Sequence, residues 1–412
     1  MSKIKTIRNT RKTMQRLGFL KLICKIAQNK PDTIQNFSEK LYQIVSKKYS
    51  INFKDNKDIF KLFIEKKLDI STRYKYINWE TIKTNLKNDS SEDLKAELEI
   101  QDVYLSSYIL PSVTGAIIPT EKAEMISFAK QLGFLQDNLI LTAEGTLIKN
   151  LSKDIYDLFC NYNPKKNPFK LDVEDKVVFL YYLLCKDYDI LKFLIPKLVK
   201  IKTFSIEEQS EHIYNVITGV LKSKETETLS FDEKEYINKL SKTAESIKNP
   251  KGFIQGTGRS IYQFFLPRIE WFCDLSIVEK LDPTKSKYKI TKNCTILSKY
   301  LEKYELRDLL NNHFFEMSSC LYDNKAGENK LTNEEVISIM KEVSSDLQSQ
   351  VGYIPLTEGI IYTNLHLLKS QYKTYIEISN YIEIIKKYQK KNPKSIKYGI
   401  DRMGNIISIK FV

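Results

Sequence analysis

The 412-residue sequence has few of the residues that form disulfides or zinc sites. It contains six cysteines and three histidines, which are scattered, and no two cysteines form a CxxC pair. Structural zinc sites use local pairs of such ligands, and a disulfide framework needs several cysteines at regular spacings. We therefore expect reduced, buried thiols, with no metal site and no cofactor.

Other signatures are also missing. There is no GxxxxGK[ST] loop, so nucleotide-driven chemistry has no evident site. The longest apolar run is nine residues, 177–185, far short of the roughly 18 that cross a bilayer. Near the N-terminus the apolar positions are interrupted every few residues, which argues against a secretory signal. We expect a cytoplasmic protein with no membrane partner.

The sequence offers little for catalysis. The tripeptide EKK at 65–67 has the spelling of a metal-dependent nuclease motif, but it lies in an apolar-periodic segment, 59–68, that indicates a helix. On a helix it is a surface charge pair. His313, beside two phenylalanines, is better explained as a core or helix-end histidine. The question of catalysis stays open, and the sequence favours a protein without a catalytic residue.

Positive charge is present and is gathered in three places. The net charge is +14, from 65 basic and 51 acidic residues. Residues 1–30 hold nine basic side chains and no acid, and residues 386–412 hold eight basic and one acidic, which leaves −2 for the other 355. Residues 248–299 add ten basic side chains against four acids. An AT-rich genome also enriches lysine, but segregated charge is typical of proteins that bind polyanions.

Sparse glycine, 13 residues, and long segments of 3.6-residue periodicity predict a mostly α fold with short β-hairpins. An apolar stripe predicts a helix that begins at Thr120 and ends at Gly133, its C-cap. Asp137-Asn138 then forms a tight turn between two short strands, and Thr142 caps the next helix. Helix, hairpin and helix in this order predict a winged helix-turn-helix unit.

The same order returns about 149 residues later in the chain. Residues 274–278 match 131–135, and residues 288–291 match 139–142. An apolar-periodic helix beginning at Arg259 precedes the second copy. Two degenerate copies predict a tandem of winged units.

The second copy departs from the first, and a third unit follows. Cys294 stands where the first copy has Gly145, and Pro267 lies inside the helix, which predicts a kink or two short helices there. Residues 376–412 contain a helix and a hairpin that turns at 401–404, which predicts a third winged unit. The predicted parts of the chain are an N-terminal helical basic domain at 1–115, a first winged unit at 116–168, a second at 169–330 with a polar insertion at 222–250, and C-terminal helices with a third unit at 331–412.

Basic and polar residues at recognition-helix and wing positions suit duplex DNA, because Lys and Arg neutralise phosphates while Arg and Gln reach base edges. On the second unit we expect Arg259, Ser260, Tyr262, Gln263 and Arg268 to face outward. The first unit has a mixed-charge helix face and is a weaker reader. The candidate DNA-binding residues are Arg8, Arg11, Lys12, Arg16, Lys251, Arg259, Ser260, Tyr262, Gln263, Arg268, Lys285, Lys287, Lys394, Lys397 and Arg402.

One candidate, Lys251, begins a glycine-containing segment, 251–260, just before the second unit's helix. Glycines and a threonine at a helix start can present backbone N–H groups to a phosphate. The same composition also suits a hinge that ends the polar insertion. The sequence leaves both interpretations open.

This architecture resembles the DNA-recognition portion of type IIS restriction endonucleases and, more widely, winged-helix proteins of bacterial defence and mobile elements. The segments that carry the resemblance are LGFL at 132–135, LTAEG at 141–145, LSIV at 275–278 and YKIT at 288–291. It implies a non-catalytic component that recognises sequence in double-stranded DNA, in a restriction or defence system or a mobile element, with a nuclease or methyltransferase subunit as partner. No matching nuclease domain is found. The alternatives are a divergent DNA endonuclease and a protein-binding scaffold of winged helices.

Overall fold

The computed structural model describes residues 4–8, 10, 17–33, 36–37, 40, 119–152, 171–206, 210–225, 228–248, 257–282, 287–322, 326–328 and 331–412. Within these ranges the protein is mostly helical with small sheets, as the sequence predicted. No helix in this part of the chain is long and apolar enough to span a membrane. The tripeptide at 65–67 lies outside the described residues.

The helices and strands are named here in chain order. The helices are α1 (Gly18–Ile26), α2 (Pro119–Leu132), α3 (Ala143–Leu151), α4 (Val173–Ile201), α5 (Ser210–Lys224), α6 (Phe231–Lys248), α7 (Thr257–Asp274), α8 (Lys292–Lys303), α9 (Leu306–Asp308), α10 (Phe314–Leu321), α11 (Asn333–Val343), α12 (Leu356–Lys369) and α13 (Ile378–Lys391), with a π-helical turn at Leu309–His313 and a 3₁₀ turn at Ser344–Leu347. The strands are β1 (Thr203–Ser205), β2 (Val278–Asp282), β3 (Lys287–Ile290), β4 (Gly327–Glu328), β5 (Ile354–Pro355), β6 (Thr374–Tyr375), β7 (Ile396–Ile400) and β8 (Ile406–Phe411).

Helix α4 lies at the centre of the fold. It begins at a capping box in which Asp172 and Asp175 satisfy each other's backbone N–H groups. Residues 177–184 are buried without interruption, so the longest apolar run of the sequence is a helix surrounded by protein. Helix α4 packs against α2, α3, α5 and α8. At Asp187 the backbone leaves helical geometry, with φ −129°, which interrupts the helix.

Two helix ends have the same construction, as the sequence match predicted. After α2 and after α7 the chain enters the left-handed region, at Gly133 (φ 87°) and Ser276 (φ 57°). The N–H groups of the next residues, Phe134 and Ile277, each donate to the carbonyl five positions earlier at 2.8 Å. These backward hydrogen bonds satisfy carbonyl groups at a helix C-terminus.

A threonine closes each of these junctions. The Oγ1 atoms of Thr142 and Thr291 donate to the carbonyls of the left-handed residues at 2.5 and 2.8 Å. The backbone N–H groups of the same threonines donate to the carbonyls of Phe134 and Ile277, the residues directly after the left-handed ones, at 3.1 Å. Each threonine also caps the next helix. The predicted correspondence of the two segments is confirmed for this junction.

The hairpins between these junctions differ in length. In the first copy, a single bridge between Leu135 and Leu141 replaces the two expected strands. Gln136 already donates to the carbonyl of Ile140 at 2.9 Å, so the turn leaves no residues for a ladder. The second copy has a real hairpin, β2–β3. Helix α7 continues through Pro267 as one helix, so of the two predicted outcomes, a kink or two short helices, the second is wrong; residues 265–272 are buried, and their packing stabilises the helix on both sides of the proline.

The two three-stranded sheets share one topology. Strand β1 follows α4 and pairs with β3, and β3 pairs with β2, which gives the order β1-β3-β2. Strand β5 follows α11 and pairs with β8, and β8 pairs with β7, which gives β5-β8-β7. In each sheet the strand that comes first therefore pairs with the strand that comes last. A small parallel pair joins β4, which precedes the second sheet in the sequence, to β6, which lies between β5 and β7.

The core is continuous across the described residues. Buried apolar side chains from Ile4 to Ile409 belong to one contiguous cluster. The predicted domain boundaries stay predictions, but segments far apart in the sequence share this core. Asparagine Asn364, for example, is fully buried in α12 and bonds the backbone of Ile376 from both its oxygen (2.8 Å) and its nitrogen (3.0 Å).

Candidate nucleic-acid interface

The N-terminal residues that the structure describes are anchored to the protein and do not form a free arm. The backbone N–H of Lys5 donates to Asp189 at 2.7 Å, and that of Ile7 donates to Asp187 at 2.8 Å. Further along, the N–H of Leu17 donates to a carboxylate oxygen of α7 at 2.8 Å. Carboxylates thus accept hydrogen bonds from the backbone N–H groups of a segment that has no strand partner.

Arg8, a candidate DNA contact, makes contacts inside the protein. Its backbone N–H donates to Gln131 at 2.9 Å. Its guanidinium carbon lies 5.3 Å from the centroid of the Tyr236 ring, close enough for a cation–π contact. Whether Arg8 also meets DNA stays a prediction. The other candidates of this segment, Arg11, Lys12 and Arg16, lie outside the described residues.

Arg268 was expected to face outward, and this expectation is wrong. Its side chain is 0% exposed. Its Nε and Nη2 atoms donate to the two carboxylate oxygens of Asp187, at 2.7 and 2.9 Å. The remaining donors reach the carbonyls of Phe264, at 2.5 Å, and Ile7, at 3.1 Å. Its position among apolar residues looked like an interruption of the stripe, but the long side chain reaches a partner on α4.

This buried network joins three parts of the chain: the N-terminal segment, α4 at its interruption, and α7. Burial raises the pKa of the Asp187 carboxyl above its usual value, while the charge of Arg268 opposes that shift. The arginine also lies over the Phe264 ring, 4.4 Å from its centroid. Arg268 therefore serves the fold and is not available to a nucleic acid.

The other candidates of the second unit divide into three groups. Arg259, Ser260, Tyr262 and Gln263 belong to the first turns of α7, but the structure describes only their backbone; Lys251 and Lys285 lie outside the described residues. The predicted outward direction of these side chains stays a prediction. Lys287 is exposed at the start of β3.

Acids neutralise much of the β2–β3 hairpin. Lys280 lies 3.3 Å from Glu270, and Lys289 lies 3.8 Å from Glu279. Glu270 also accepts a hydrogen bond from the buried hydroxyl of Tyr288 at 2.6 Å. This hairpin carries less uncompensated charge than its sequence suggested.

The C-terminal region holds a set of exposed basic side chains without an acidic partner among the described residues. They lie on the last turns of α13, just after it, and on the β7–β8 hairpin, and we call them the C-terminal basic surface: Lys386, Lys390, Lys394, Lys397 and Arg402. Three of them were candidates from the sequence. Lys386 and Lys390 were missed, although their four-residue spacing at the end of a predicted helix was a usable signal.

Helix α13 has one buried face and one basic face. Ile378, Tyr381 and Ile385 are buried, at spacings of three and four residues. The opposite side carries Lys386 and Lys390. Two further lysines of this helix are paired, with Glu383 at 3.6 Å and with Glu334 at 3.4 Å. Positive charge near the C-terminal end also complements the helix dipole.

The hairpin that follows α13 places two lysines opposite each other. Lys397 on β7 pairs in register with Lys410 on β8. Like charges at such positions destabilise a sheet. Lys410 turns away and donates to the carbonyl of Val351 at 2.8 Å, whereas Lys397 stays exposed. An anion bound over this face would relieve the repulsion.

The beginning of α13 is held against the π-helical turn. Glu377, its N-cap, accepts hydrogen bonds from the N–H groups of Phe315 (3.1 Å) and Glu316 (2.7 Å). Burial raises the pKa of the Glu377 carboxyl to about 7. Ser379 donates to Asn312 at 2.5 Å. The first turn is therefore covered by protein, and the open part of α13 is its C-terminal half.

Groups that would serve catalysis or metal binding are sparse in the described part of the chain. There, no three His, Cys, Asp or Glu side chains are placed to hold a metal ion. The cysteines in these ranges form no disulfide with one another; Cys24 and Cys294 are buried, as predicted, while Cys320 is exposed. His313 is the last residue of the π-helical turn and stacks on Tyr304 at 3.8 Å, which confirms its helix-end position.

Comparisons with protein-family models, with curated proteins and with solved structures give no match to this chain.

Proposed function

We propose that residues 173–290 and 333–411 are two winged-helix units. In each, a helix leads into a short strand, helices follow, and two strands close the unit as a hairpin. The strand order, first-third-second, is the same in both sheets. The unit at 173–290 differs from the other by an additional helix, α6, within the insertion predicted at 222–250. The segment containing α2 and α3 shares the helix-to-hairpin junction and is a reduced relative of these units.

We propose further that the chain binds double-stranded DNA through the third unit. The observation that carries this proposal is the C-terminal basic surface, five exposed cations on α13, just after it and on its hairpin that have no acidic partner in the part of the chain that the structure describes. In helix-turn-helix proteins, the helix of this position enters the major groove, while basic residues on adjoining elements contact the backbone. A basic face that continues from a helix onto a strand can follow the phosphate backbone along a duplex.

In this proposal the protein is a non-catalytic recognition component of a restriction or defence system, or a mobile-element protein, with a nuclease or methyltransferase as partner. The resemblance of the junction segments to type IIS recognition domains supports this class. The charge distribution supports a polyanion as partner. The test below also includes the two alternatives, an endonuclease and a protein-binding scaffold.

The first experiment measures duplex binding by fluorescence anisotropy at several salt concentrations. The variant Lys386→Ala/Lys390→Ala/Lys394→Ala removes three cations of the surface. Because each phosphate contact contributes about 0.9 to the slope of log affinity against log salt, we expect the slope to decrease by roughly three and the affinity by tenfold or more.

The matched control removes three exposed lysines of α6, in Lys234→Ala/Lys239→Ala/Lys242→Ala, and should leave the slope nearly unchanged. Equal losses in both triple variants would mean that only net charge matters, and the proposed site would be wrong. A wild-type protein that binds no duplex at low salt would leave the scaffold alternative. Cleavage of plasmid DNA with Mg²⁺ or Mn²⁺ would overturn the non-catalytic assignment.

A further inference from the structure

The tip of the β7–β8 hairpin is apolar and open to solvent. Ile400 is 57% exposed, Met403 83% and Ile407 54%. Large apolar side chains at this exposure are common singly, but three on one turn form a patch that suggests a partner. Nothing among the described residues packs over Met403.

The turn that carries Met403 is rigid. Asp401 accepts hydrogen bonds from the N–H groups of Met403 (2.8 Å) and Asn405 (2.9 Å), and its own N–H donates to the carbonyl of Asn405 at 2.9 Å. Gly404 takes the left-handed conformation, φ 84°, that closes the turn. Met403 is therefore presented at the apex of an ordered turn and loses little backbone freedom when it binds.

The surroundings of this tip are basic. Arg402 adjoins Met403 in the turn, and Lys397 and Lys394 follow toward the other end of β7; all three are exposed without an acidic partner among the described residues. The one nearby acid, Asp401, is engaged in the turn, and hydrogen bonds from Asn405 hold its pKa below the usual value. An apolar point at one end of a basic surface complements a partner whose outside is anionic and whose inside is apolar.

Two partners have that character. A DNA duplex has phosphates outside and stacked bases inside, and an anionic membrane has charged headgroups outside and acyl chains inside. The basic residues continue from the tip along β7 and onto the last turns of α13, so the charge forms a stripe along two elements and does not ring the tip. A stripe of this kind follows a rod better than a plane. The geometry therefore favours the duplex.

We infer that Met403, supported by Ile400 and Ile407, is an apolar wedge that enters a base step in the minor groove and bends the DNA. This inference depends on the proposed DNA binding and goes beyond it, because it assigns a deformation of the DNA to the hairpin tip. Proteins with such wedges unstack one step and gain contacts along the bent duplex. Sequence preference then arises at flexible pyrimidine–purine steps.

The test uses the full chain and short duplexes labelled at both ends for energy transfer, each with one 2-aminopurine beside a TA step at varied positions. Wild type should shorten the end-to-end distance and raise 2-aminopurine fluorescence at one position. In Met403→Ser both signals should fall to the level of free DNA, while affinity should change by no more than about tenfold, since the cost of unstacking and the gain from bending nearly cancel. The salt slope should stay unchanged. Met403→Leu, which keeps an apolar side chain, should restore the signals.

Phe231→Ser is the matched control, because Phe231 is 81% exposed on α6 and should affect neither signal. Binding by wild type with neither bending nor unstacking would overturn the wedge while leaving the proposed function intact. Absence of any binding would instead mean that the proposed function itself fails. If Met403→Ser kept full DNA distortion but released the protein from phosphatidylserine vesicles, the tip would be a membrane contact and the inference would be wrong.

Discussion

Helices α7 and α13 hold the same place in two sheets of the same strand order, yet their surroundings differ. The part of α7 from 265 to 272 is buried on all sides, with Arg268 inside the protein. The C-terminal half of α13 has one buried and one basic face. Both helices precede a hairpin, but among the described side chains only those of α13 leave an open basic surface.

The comparison shows that a basic residue near a predicted recognition helix says little until its partner is known. Arg268 finds Asp187 on α4, 81 positions away in the sequence. Lys386 and Lys390 find no acid among the described residues. The polar insertion and the N-terminal segment contact α7, whereas the C-terminal half of α13 keeps one face open to solvent.

The largest expected effect concerns the interior of α7. Replacing Arg268 with Ala leaves Asp187 buried without its charge partner, so we expect the free energy of unfolding to fall by about 3–5 kcal/mol. Urea denaturation followed by circular dichroism measures this. Arg402→Ala, on the exposed hairpin, should change stability by less than about 0.5 kcal/mol. A variant Arg268→Ala that is as stable as wild type but has lost its DNA preference would make α7 the reader after all.

The next effect concerns the anchored start of α13. Because the folded-state pKa of Glu377 is about 7, above its ordinary value of 4.5, the folded protein keeps a proton that the unfolded chain releases. The free energy of unfolding should therefore fall as pH rises from about 4.5 to 7, by on the order of 2–3 kcal/mol from this group.

In Glu377→Gln this part of the pH dependence should disappear, because the amide does not titrate. Thermal melting between pH 5 and pH 8 gives the comparison. Glu358, also buried with a pKa raised to about 7, contributes a similar slope that remains in the variant. An unchanged pH dependence of the melting temperature in Glu377→Gln would show that the Glu377 carboxyl does not titrate in the folded protein over this pH range.

The smallest effect compares the two hairpins directly. Lys397→Ala should flatten the salt dependence of duplex binding by about one phosphate contact, roughly 0.9 in slope. We expect Lys287→Ala to flatten it by no more than that, evenly across DNA sequences, since acids already neutralise its neighbours. Anisotropy titrations of both single variants at several salt concentrations show which substitution changes the slope more. A larger change for Lys287 would move the main DNA surface to the second unit.

Several features of the fold were predictable because they depend on short stretches of chain. The left-handed residue after α2 and the threonine that caps α3 follow from the local needs of helix ends, and Ser276 and Thr291 stand at the matching positions of the second copy. The apolar period of α13 and the turn at 401–404 were likewise readable. Such features are decided by hydrogen bonds among neighbours.

The candidate site was only partly predictable. Lys394, Lys397 and Arg402 were identified from the basic C-terminus and are exposed, and Lys387 and Lys391 of the same charge run are paired with acids. Sequence position does not reveal which lysines have an acid within reach. The prediction for Arg268 was wrong for the same reason, because its acidic partner, Asp187, lies far away in the sequence.

The sequence by itself determined the mostly helical class, the repeated helix-to-hairpin junction, and the concentration of positive charge at the chain ends, because each is a property of composition or of residues within one turn of each other. The tertiary structure decided that the N-terminal segment is anchored, that Arg268 is buried, and that the open charge lies on α13 and its hairpin. These outcomes depend on partners many residues away, such as Asp187 for Arg268 and Phe315 for Glu377. Only the packing of the whole chain brings such groups together.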